Sequence, residues 1–240
     1  MKKLAILAAI LLAGSAAYAQ TPAKDRLKEI EELSINAKKH KTTSFAKDLF
    51  EAEALANIGY GIHHVEGAFE NEFGPSRELF LNLVELRFNP CRFFSLNAAA
   101  DLKWDHFTAR TDKAFALDAA GDITIAPAGG FDKLESTLCI TALTAPVTMG
   151  LHFGDFSLHA GAEFAANINK RTHLKESFKT GNTTGSNRTD GGKVQKFVYD
   201  YMAAVSYDGL GLYFKYYPGN ILPKGCPEWD YWTIGLVLGL

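Results

Sequence analysis

Residues 94–105 read Phe-Ser-Leu-Asn-Ala-Ala-Ala-Asp-Leu-Lys-Trp-Asp, and they alternate apolar with polar side chains. Phe94 and every second residue up to Trp104 are apolar, whereas Asp101 and Lys103 lie at the alternate positions between them. Successive side chains of a strand point to opposite faces, so this stretch predicts a β-strand with one apolar and one ionic face. Six apolar positions in register match the height of a bilayer's hydrocarbon layer at the tilt of a barrel strand.

Seven further stretches share this alternation and bring the number of predicted strands to eight. The eight strands run from about residue 52 to 63, 79 to 88, 94 to 105, 138 to 153, 156 to 167, 196 to 207, 210 to 217 and 231 to 240. In the second strand the pattern places Phe80 on the apolar face, with Asn82 as a polar exception. In the fourth, Leu138 and Ile140 fall out of step with the apolar positions from Ala145 onward. We expect a β-bulge near Ala142 to restore the alternation.

The connections between these strands alternate between short and long. The short ones are Asn89–Arg92, Gly154-Asp155 and Asp208-Gly209, and the long ones are 65–77, 107–135, 169–195 and 218–230. Asp-Gly is a strong hairpin signal because both central residues of the turn need positive φ. Outer-membrane barrels have short periplasmic turns and long external loops. The alternation of short and long connections therefore predicts both chain ends in the periplasm. The stretch 180–192 has few apolar residues and predicts a mobile loop.

The N-terminal residues have the features of an export signal. A positively charged start, an apolar run and a small-residue cleavage site predict a signal peptide over residues 1–19. Residues 20–50 form a predicted periplasmic segment, partly helical because apolar residues recur at helical spacing over 24–39. Residues 51–240 form the predicted outer-membrane β-barrel domain.

The two faces of the predicted strands carry different chemistry. Ionised residues of both signs lie on the polar face, where they could pair with one another inside a closed lumen: Glu85, Arg87, Asp101, Lys103, Glu163, Asp200 and Lys215. Aromatic residues lie near the ends of the apolar face, where an interfacial girdle belongs: Tyr60, Phe88, Phe94, Trp104, Phe153, Phe156, Tyr207 and Trp232. This arrangement favours an all-β, eight-stranded, antiparallel up-and-down transmembrane β-barrel with a short N-terminal helical segment.

Two hairpins of the chain resemble a known family. The segment Thr144–Gly150, followed by Phe153-Gly154 and Leu158–Ala162, resembles the proline-containing strand hairpin of the PorT-like outer-membrane β-barrel family of Bacteroidota. The stretches Gly211–Tyr217 and Trp232–Leu240 resemble the last hairpin of that family. The resemblance covers roughly residues 52 to 240. It implies an outer-membrane barrel and brings no catalytic residues with it.

Candidate catalytic and metal-binding groups are few. Ser157 and His159 share a strand face, but Glu163 lies too far along the strand to complete a triad at a rise of ~3.3 Å per residue. A metal site at His63 and His106 would need a nearby carboxylate. P-loop, Rossmann and EF-hand spacings do not occur in the sequence. We therefore predict no enzymatic activity, no cofactor and no metal.

The predicted function is that of a non-catalytic, monomeric protein of the Gram-negative outer membrane with a structural, surface-binding, secretion or assembly role. The alternatives are a lipid-modifying barrel enzyme, a narrow channel and a soluble lipocalin-like ligand carrier. Expected partners are outer-membrane lipid and lipopolysaccharide, the outer-membrane assembly machinery and a protein of an envelope or secretion complex. A formal net charge of −2 gives no argument for nucleic acid. Three cysteines cannot form a complete disulfide framework, although Cys139 and Cys226 could pair.

Overall fold

A computed structural model describes residues 49–67, 76–109, 112–130, 132–168 and 173–239. The predicted signal peptide and the predicted helix at 24–39 lie outside these residues. The chain divides into two compact units, Met1–Phe50 and Glu51–Leu240, and the described residues belong almost entirely to the second. None of the helices within the described ranges has the length and apolar character needed to cross a bilayer.

Strands account for most of the described chain. In order they are β1 (Phe50–Ala54), β2 (Ile58–Gly67), β3 (Arg77–Cys91), β4 (Phe94–Ala109), β5 (Lys113–Leu117), β6 (Ile123–Pro127), β7 (Lys133–Phe153), β8 (Phe156–Asn167), β9 (His173–Thr180), β10 (Thr183–Asp190), β11 (Phe197–Tyr207), β12 (Leu210–Tyr217) and β13 (Trp229–Leu238).

Eight of these strands close into a hydrogen-bonded ring. Strands β2, β3, β4, β7, β8, β11, β12 and β13 pair in this order, each antiparallel to the next, and β13 pairs back onto β2. They correspond to the eight stretches that the alternation predicts. Closure leaves no free edge on the ring itself, because each strand has a partner on both sides.

The short connections of the ring are two-residue turns at Arg92-Phe93, Gly154-Asp155 and Asp208-Gly209. The φ values of 46° and 77° at Asp208-Gly209 fit the hairpin turn that the dipeptide predicts. The first turn lies later than the predicted connection at Asn89–Arg92. Strand β3 continues to Cys91 through an irregularity in its pairing with β4, and the proline in this stretch concealed the continuation.

Two of the long connections contain hairpins. Strands β5 and β6 pair with each other, and β9 pairs with both β10 and the first part of β7, so that β9 extends the wall beyond the end of β8. The predicted mobile loop at 180–192 is wrong, because Thr183–Asp190 is a regular strand. The polar composition of this stretch did not indicate a strand, because the strand depends on backbone hydrogen bonds to β9 and not on its own side chains.

The predicted bulge near Ala142 is also wrong. Strand β7 keeps one register with β4 and with β8 along its whole pairing. Leu138 and Ile140 therefore point into the ring, where they are 0% and 1% exposed. They share the inward phase of Thr144 and Thr148, and they are apolar because the interior at this end of the ring is apolar.

A β-bulge does occur in β3, between Asn82 and Val84. Before the bulge, Phe80 and Asn82 are buried inside the ring, and after it Val84 and Leu86 are exposed on the outer wall. The prediction that Phe80 shares the outer face is therefore wrong. The extra residue of the bulge reverses the phase, so Asn82 marks the inner face and is no exception there.

The hydrophobic core lies at the end of the ring where the long connections meet. It contains Phe107 and Leu138 from the wall, Phe115 and Ile123 from the β5–β6 hairpin, and Trp229 from the start of β13. We call these residues and their buried neighbours the apolar cap. The cap closes one end of the interior, and the rest of it contains buried polar side chains together with a small apolar cluster of Phe80, Ala204, Tyr213 and Val237.

Candidate functional site

The interior of the ring is organised around the ammonium group of Lys103. Its Nζ lies 2.8 Å from Glu163 Oε1 and 3.3 Å from Asp200 Oδ2. Glu78 Oε2 and Asp105 Oδ2 each lie 3.7 Å from the same nitrogen. All five side chains are almost fully buried, since each is at most 3% exposed. Strand alternation places them inside, and ring closure brings β3, β4, β8 and β11 around one point.

A second ammonium group, that of Lys215, completes this ionic cluster. Its Nζ lies 2.8 Å from Glu163 Oε2 and 3.0 Å from Glu78 Oε1. Tyr213 OH donates a hydrogen bond of 2.9 Å to the same Glu78 oxygen. The Lys215 ammonium also lies 4.7 Å from the centre of the Phe80 ring, a cation–π geometry. Charged partners thus satisfy the carboxylates of Glu78 and Glu163, as buried charges require.

His63 joins the ionic cluster to the apolar cap. Its Nε2 lies 3.4 Å from Asp105 Oδ1, and its Nδ1 lies 2.7 Å from Thr233 Oγ1. The imidazole stacks on the Phe107 ring at a centroid distance of 4.6 Å. His63 therefore has a structural place inside the ring. His106 lies elsewhere, on the outer wall, where Arg77 Nε donates a 3.4 Å hydrogen bond to it.

The remaining predicted ionic residues lie nearer the short turns. Arg87 Nη2 lies 2.9 Å from Glu85 Oε1, and Asn57 Nδ2 donates a 3.1 Å hydrogen bond to Glu85 Oε2. Asp101 accepts a hydrogen bond of 2.8 Å from Asn82 Nδ2. Of the seven predicted residues, four therefore share one cluster, two form a separate ion pair, and Asp101 bonds to an amide.

A small cavity lies between the ionic cluster and the short turns. Its volume is about 50 Å³, and polar side chains including Glu85, Arg87, Asn97 and His159 line it. A water molecule occupies roughly 30 Å³ of liquid, so the cavity admits a few waters and no organic ligand. This cavity therefore offers no space for a carried hydrophobic molecule.

Serine and histidine side chains do meet near the short turns, but in a different combination from the predicted one. Ser157 lies 2.8 Å from His152 Nδ1, and Ser95 lies 2.8 Å from His152 Nε2. His159 instead faces Asn97 at 3.5 Å. Both ring nitrogens of His152 contact hydroxyl groups, so neither is available to a carboxylate that would orient it as in a catalytic triad.

Potential metal ligands are dispersed over the described ranges. No group of three or more His, Cys, Asp or Glu side chains has the arrangement of a metal site there. Cys91, Cys139 and Cys226 are free thiols. Burial raises the pKa of the Cys226 thiol, which lowers its reactivity as a ligand or nucleophile.

The outer wall of the ring is apolar. Large exposed hydrophobic side chains cover it: Leu79, Leu83, Val84, Leu86, Leu96, Leu143, Val147, Met149, Leu151, Leu158, Phe164, Tyr199, Tyr201, Leu212, Phe214, Tyr216, Ile234 and Leu236. Among the predicted girdle residues, Tyr60, Phe153, Phe156 and Tyr207 are exposed, and Phe88, Phe94, Trp104 and Trp232 are partly exposed. Phe153, Phe156 and Tyr207 flank two-residue turns, whereas Tyr60 lies opposite Leu79 and Leu236.

The sequence patterns missed three central members of the cluster. Glu78 precedes the bulge of β3 and lay outside the predicted strand. Asp105 and Tyr213 lie within the predicted strands 94–105 and 210–217, but nothing local indicated that they belong to one ionic group. Glu78 and Asn82, which lie four residues apart and therefore share a strand face, are the signal that could have revealed the inner phase of β3.

Comparisons with known proteins give distant similarities only. No protein-family model and no curated protein matches the chain. Among solved structures, Ail, the attachment invasion locus protein of Yersinia pestis, shows 11% identity, covers 79% of this chain and 96% of its own, and has a TM-score of 0.33. A mutant of Rh. blastica porin shows 11% identity, covers 79% of this chain and 99% of its own, and has a TM-score of 0.20. At these values the similarity carries no argument, and fold and site rest on the geometry described above.

Proposed function

We propose that this chain is an outer-membrane β-barrel whose wall faces lipid and whose interior is closed. The observation that carries the proposal is the inverted polarity of the ring. Val147, Met149 and Leu236 are 50 to 56% exposed on the wall, while Lys103 and Glu163 are 1% exposed inside. Water-soluble proteins rarely leave a continuous apolar surface beyond a few hundred Å² uncovered. Lipid acyl chains would cover this wall without cost.

The dimensions of the wall support the proposal. Strands β7, β8 and β11 each present six consecutive outward apolar positions, over residues 143–153, 156–166 and 197–207. Eleven residues at ~3.3 Å per residue and a tilt of ~40° give a band about 25 Å high, the height of the apolar band of membrane barrels. No charged side chain interrupts these three rows.

The closed interior argues against a transport function, and the proposed role is a non-catalytic one. The ionic cluster fills the centre of the ring, and the apolar cap closes the end with the long connections. Eight strands leave an interior that side chains can fill, which fits this arrangement. We expect the purified protein to be silent in planar bilayers, and steady single-channel steps would contradict the closed interior.

The role that fits best is structural or surface-binding, in a protein exported through a cleaved signal peptide and inserted by the outer-membrane assembly machinery. The resemblance of two hairpins to the PorT-like family supports this assignment. The long connections, with the β9–β10 hairpin among them, would form the surface that meets ligands or partner proteins. In this proposal the chain has no enzymatic activity.

Native tryptophans provide the experiment, because the sequence contains three and they differ in position. Trp104 and Trp232 lie on the outer wall, whereas Trp229 is 2% exposed within the apolar cap. The protein should be reconstituted in vesicles whose lipids carry bromine on the acyl chains, which quench fluorescence on contact. The W229F variant should keep strong quenching, and the W104F/W232F variant should lose most of it.

Equal quenching of both variants would contradict the orientation of the wall. A wild-type protein that stays monodisperse in buffer without detergent or lipid would reject the membrane assignment altogether. Unbrominated vesicles of the same composition serve as the reference for each variant.

A further inference from the structure

We propose that the wall carries, directly beyond its apolar band, a cationic patch that binds the phosphates of a multiply phosphorylated glycolipid in the outer leaflet. The cationic patch consists of Arg77, Lys175 and Arg188, with the imidazole rings of His106 and His173 between them. This inference rests on the proposed membrane function, which it deepens by naming one lipid class and its binding surface.

Strand register brings the patch together from four strands. One row across the wall runs from Arg77 through His106, Cys139 and His173, and it ends at Asp190, which pairs with His173. In the next row, two residues further along the strands, Lys175 pairs with Arg188. Directly opposed residues of neighbouring strands share a face, so the two rows form one surface.

This surface is the outer face of the wall. Leu138 and Leu174, in the opposite phase, are 0% and 4% exposed and belong to the hydrophobic core. Lys175 and Arg188 are exposed. Cys139 pairs with both His106 and His173 and shares their outward phase.

The patch begins where the apolar band ends. Leu79 pairs with Trp104 in the last apolar row, and the next outward residues of the same strands are Arg77 and His106. With Tyr60, these four side chains line a groove of about 460 Å³ on the wall. One step of two residues along a strand is ~6.6 Å, so the cations lie at the depth of lipid headgroups when the apolar band lies in the acyl chains. The groove thus offers an apolar lower part to acyl chains and a cationic upper part to phosphate.

The extent of the patch favours a large polyanion over a single phosphodiester. Lys179 continues the outward phase of Lys175 on β9, so the two ammonium groups belong to residues ~13 Å apart along the strand. Arg188 Nε lies 2.8 Å from Asp190 Oδ1 in an ion pair, but the Arg188 side chain remains 62% exposed. A headgroup with two phosphates on a sugar framework can contact several of these cations at once, and a simple phospholipid headgroup cannot.

The neighbouring sector of the rim, formed by β2 and β13, has the opposite character. Glu66 on β2 and Asp230 on β13 pair directly and are both exposed. An anionic lipid would avoid this acidic sector. The protein should therefore bind the glycolipid at one side of the barrel, which a uniformly charged rim would not do.

The experiment measures lipid binding to the detergent-solubilised full chain by native mass spectrometry. Titrations use diphosphoryl lipid A, monophosphoryl lipid A and phosphatidylglycerol. The test variant is K175Q/R188Q. The control is R92Q/K224Q, which removes the same charge from exposed positions outside the patch. Each cation contributes about fivefold near an anionic lipid, so the test variant should bind diphosphoryl lipid A roughly 25-fold more weakly.

The proposal expects the wild type and the control to prefer diphosphoryl lipid A over the other two lipids, with the preference lost in K175Q/R188Q. Equal affinity for phosphatidylglycerol would overturn the glycolipid assignment. If both variants lost the same affinity for diphosphoryl lipid A, net charge alone would explain the effect, and the proposed patch would be refuted. Bromolipid quenching of the wild type remains a separate test, so a barrel that inserts without lipid selectivity refutes this inference alone.

Discussion

The ionic cluster makes an asymmetric prediction about substitutions at its centre. Four carboxylates lie within 4 Å of Lys103 Nζ, and the cluster contains only one further ammonium group, that of Lys215. Lys103→Met keeps the length of the side chain and removes its charge, which leaves four carboxylates to one ammonium. Glu163→Gln instead removes one carboxylate and leaves both ammonium groups, so it relieves the imbalance.

The magnitudes follow from the burial of the group. Removing one partner of a buried ion pair costs about 3–5 kcal/mol, because the remaining charges stay buried without compensation. Lys103 has four such partners, so Lys103→Met should reach the upper part of this range. Glu163→Gln weakens hydrogen bonds to two ammonium groups but retains an oxygen acceptor. We therefore expect it to lower the free energy of unfolding by about 1.5 kcal/mol. The double variant K103M/E163Q should be more stable than K103M alone.

The free energy of unfolding can be measured by urea titration in lipid vesicles with tryptophan fluorescence. K224M, at an exposed position, is the control for the substitution type. A K103M protein within 0.5 kcal/mol of the wild type, or an E163Q protein as unstable as K103M, would refute the reasoning. If K103M fails to insert, the comparison of E163Q with K103M/E163Q in inserted material still measures what loss of the Lys103 charge costs in a cluster with one carboxylate fewer.

Three further substitutions test the wall, the interior spacing and the apolar cap in the same unfolding assay. Val147→Arg places a charge in the middle of the apolar band and should lower the free energy of unfolding by about 2–4 kcal/mol. Thr184→Arg on β10 is the control and should change it by no more than ~0.5 kcal/mol. Similar values for both variants would argue against a lipid-facing wall. Gly161→Ala would bring a Cβ to 2.0 Å from Val147 O and should cost about 1–3 kcal/mol, whereas Gly129→Ala meets nothing within 4 Å and should be neutral. Phe107→Ala removes a fully buried ring of the cap and should cost about 3–5 kcal/mol; a loss under 1 kcal/mol would show that the cap is not packed as described.

Local patterns predicted most of the ring. Alternation identified all eight ring strands, because period two is a property of consecutive residues and needs no knowledge of neighbours. Asp208-Gly209 identified its hairpin because the turn depends on the conformations of two residues only. Lys103, Glu163, Asp200 and Lys215 were assigned to the inner face for the same local reason.

The errors share one cause, which is that each concerns a partner distant in sequence. The bulge of β3 depends on its pairing with β4, and β10 is a strand because β9 pairs with it. Leu138 and Ile140 broke the expected pattern because the β5–β6 hairpin packs in the interior beside them. None of these partners can be deduced from the residues near the error.

The amino-acid sequence by itself determined the face of most wall residues, since the face follows from the position of each residue along its own strand, and it failed where the bulge of β3 and the apolar cap altered the pattern. The tertiary structure alone decided which inward charges meet. Lys103 reaches Glu163 across 60 residues of chain and Asp200 across 97, because ring closure and the stagger of the strands set the level at which each side chain enters the interior. The cationic patch has the same origin, since strand register places Arg77 and Arg188 on one surface although more than a hundred residues separate them.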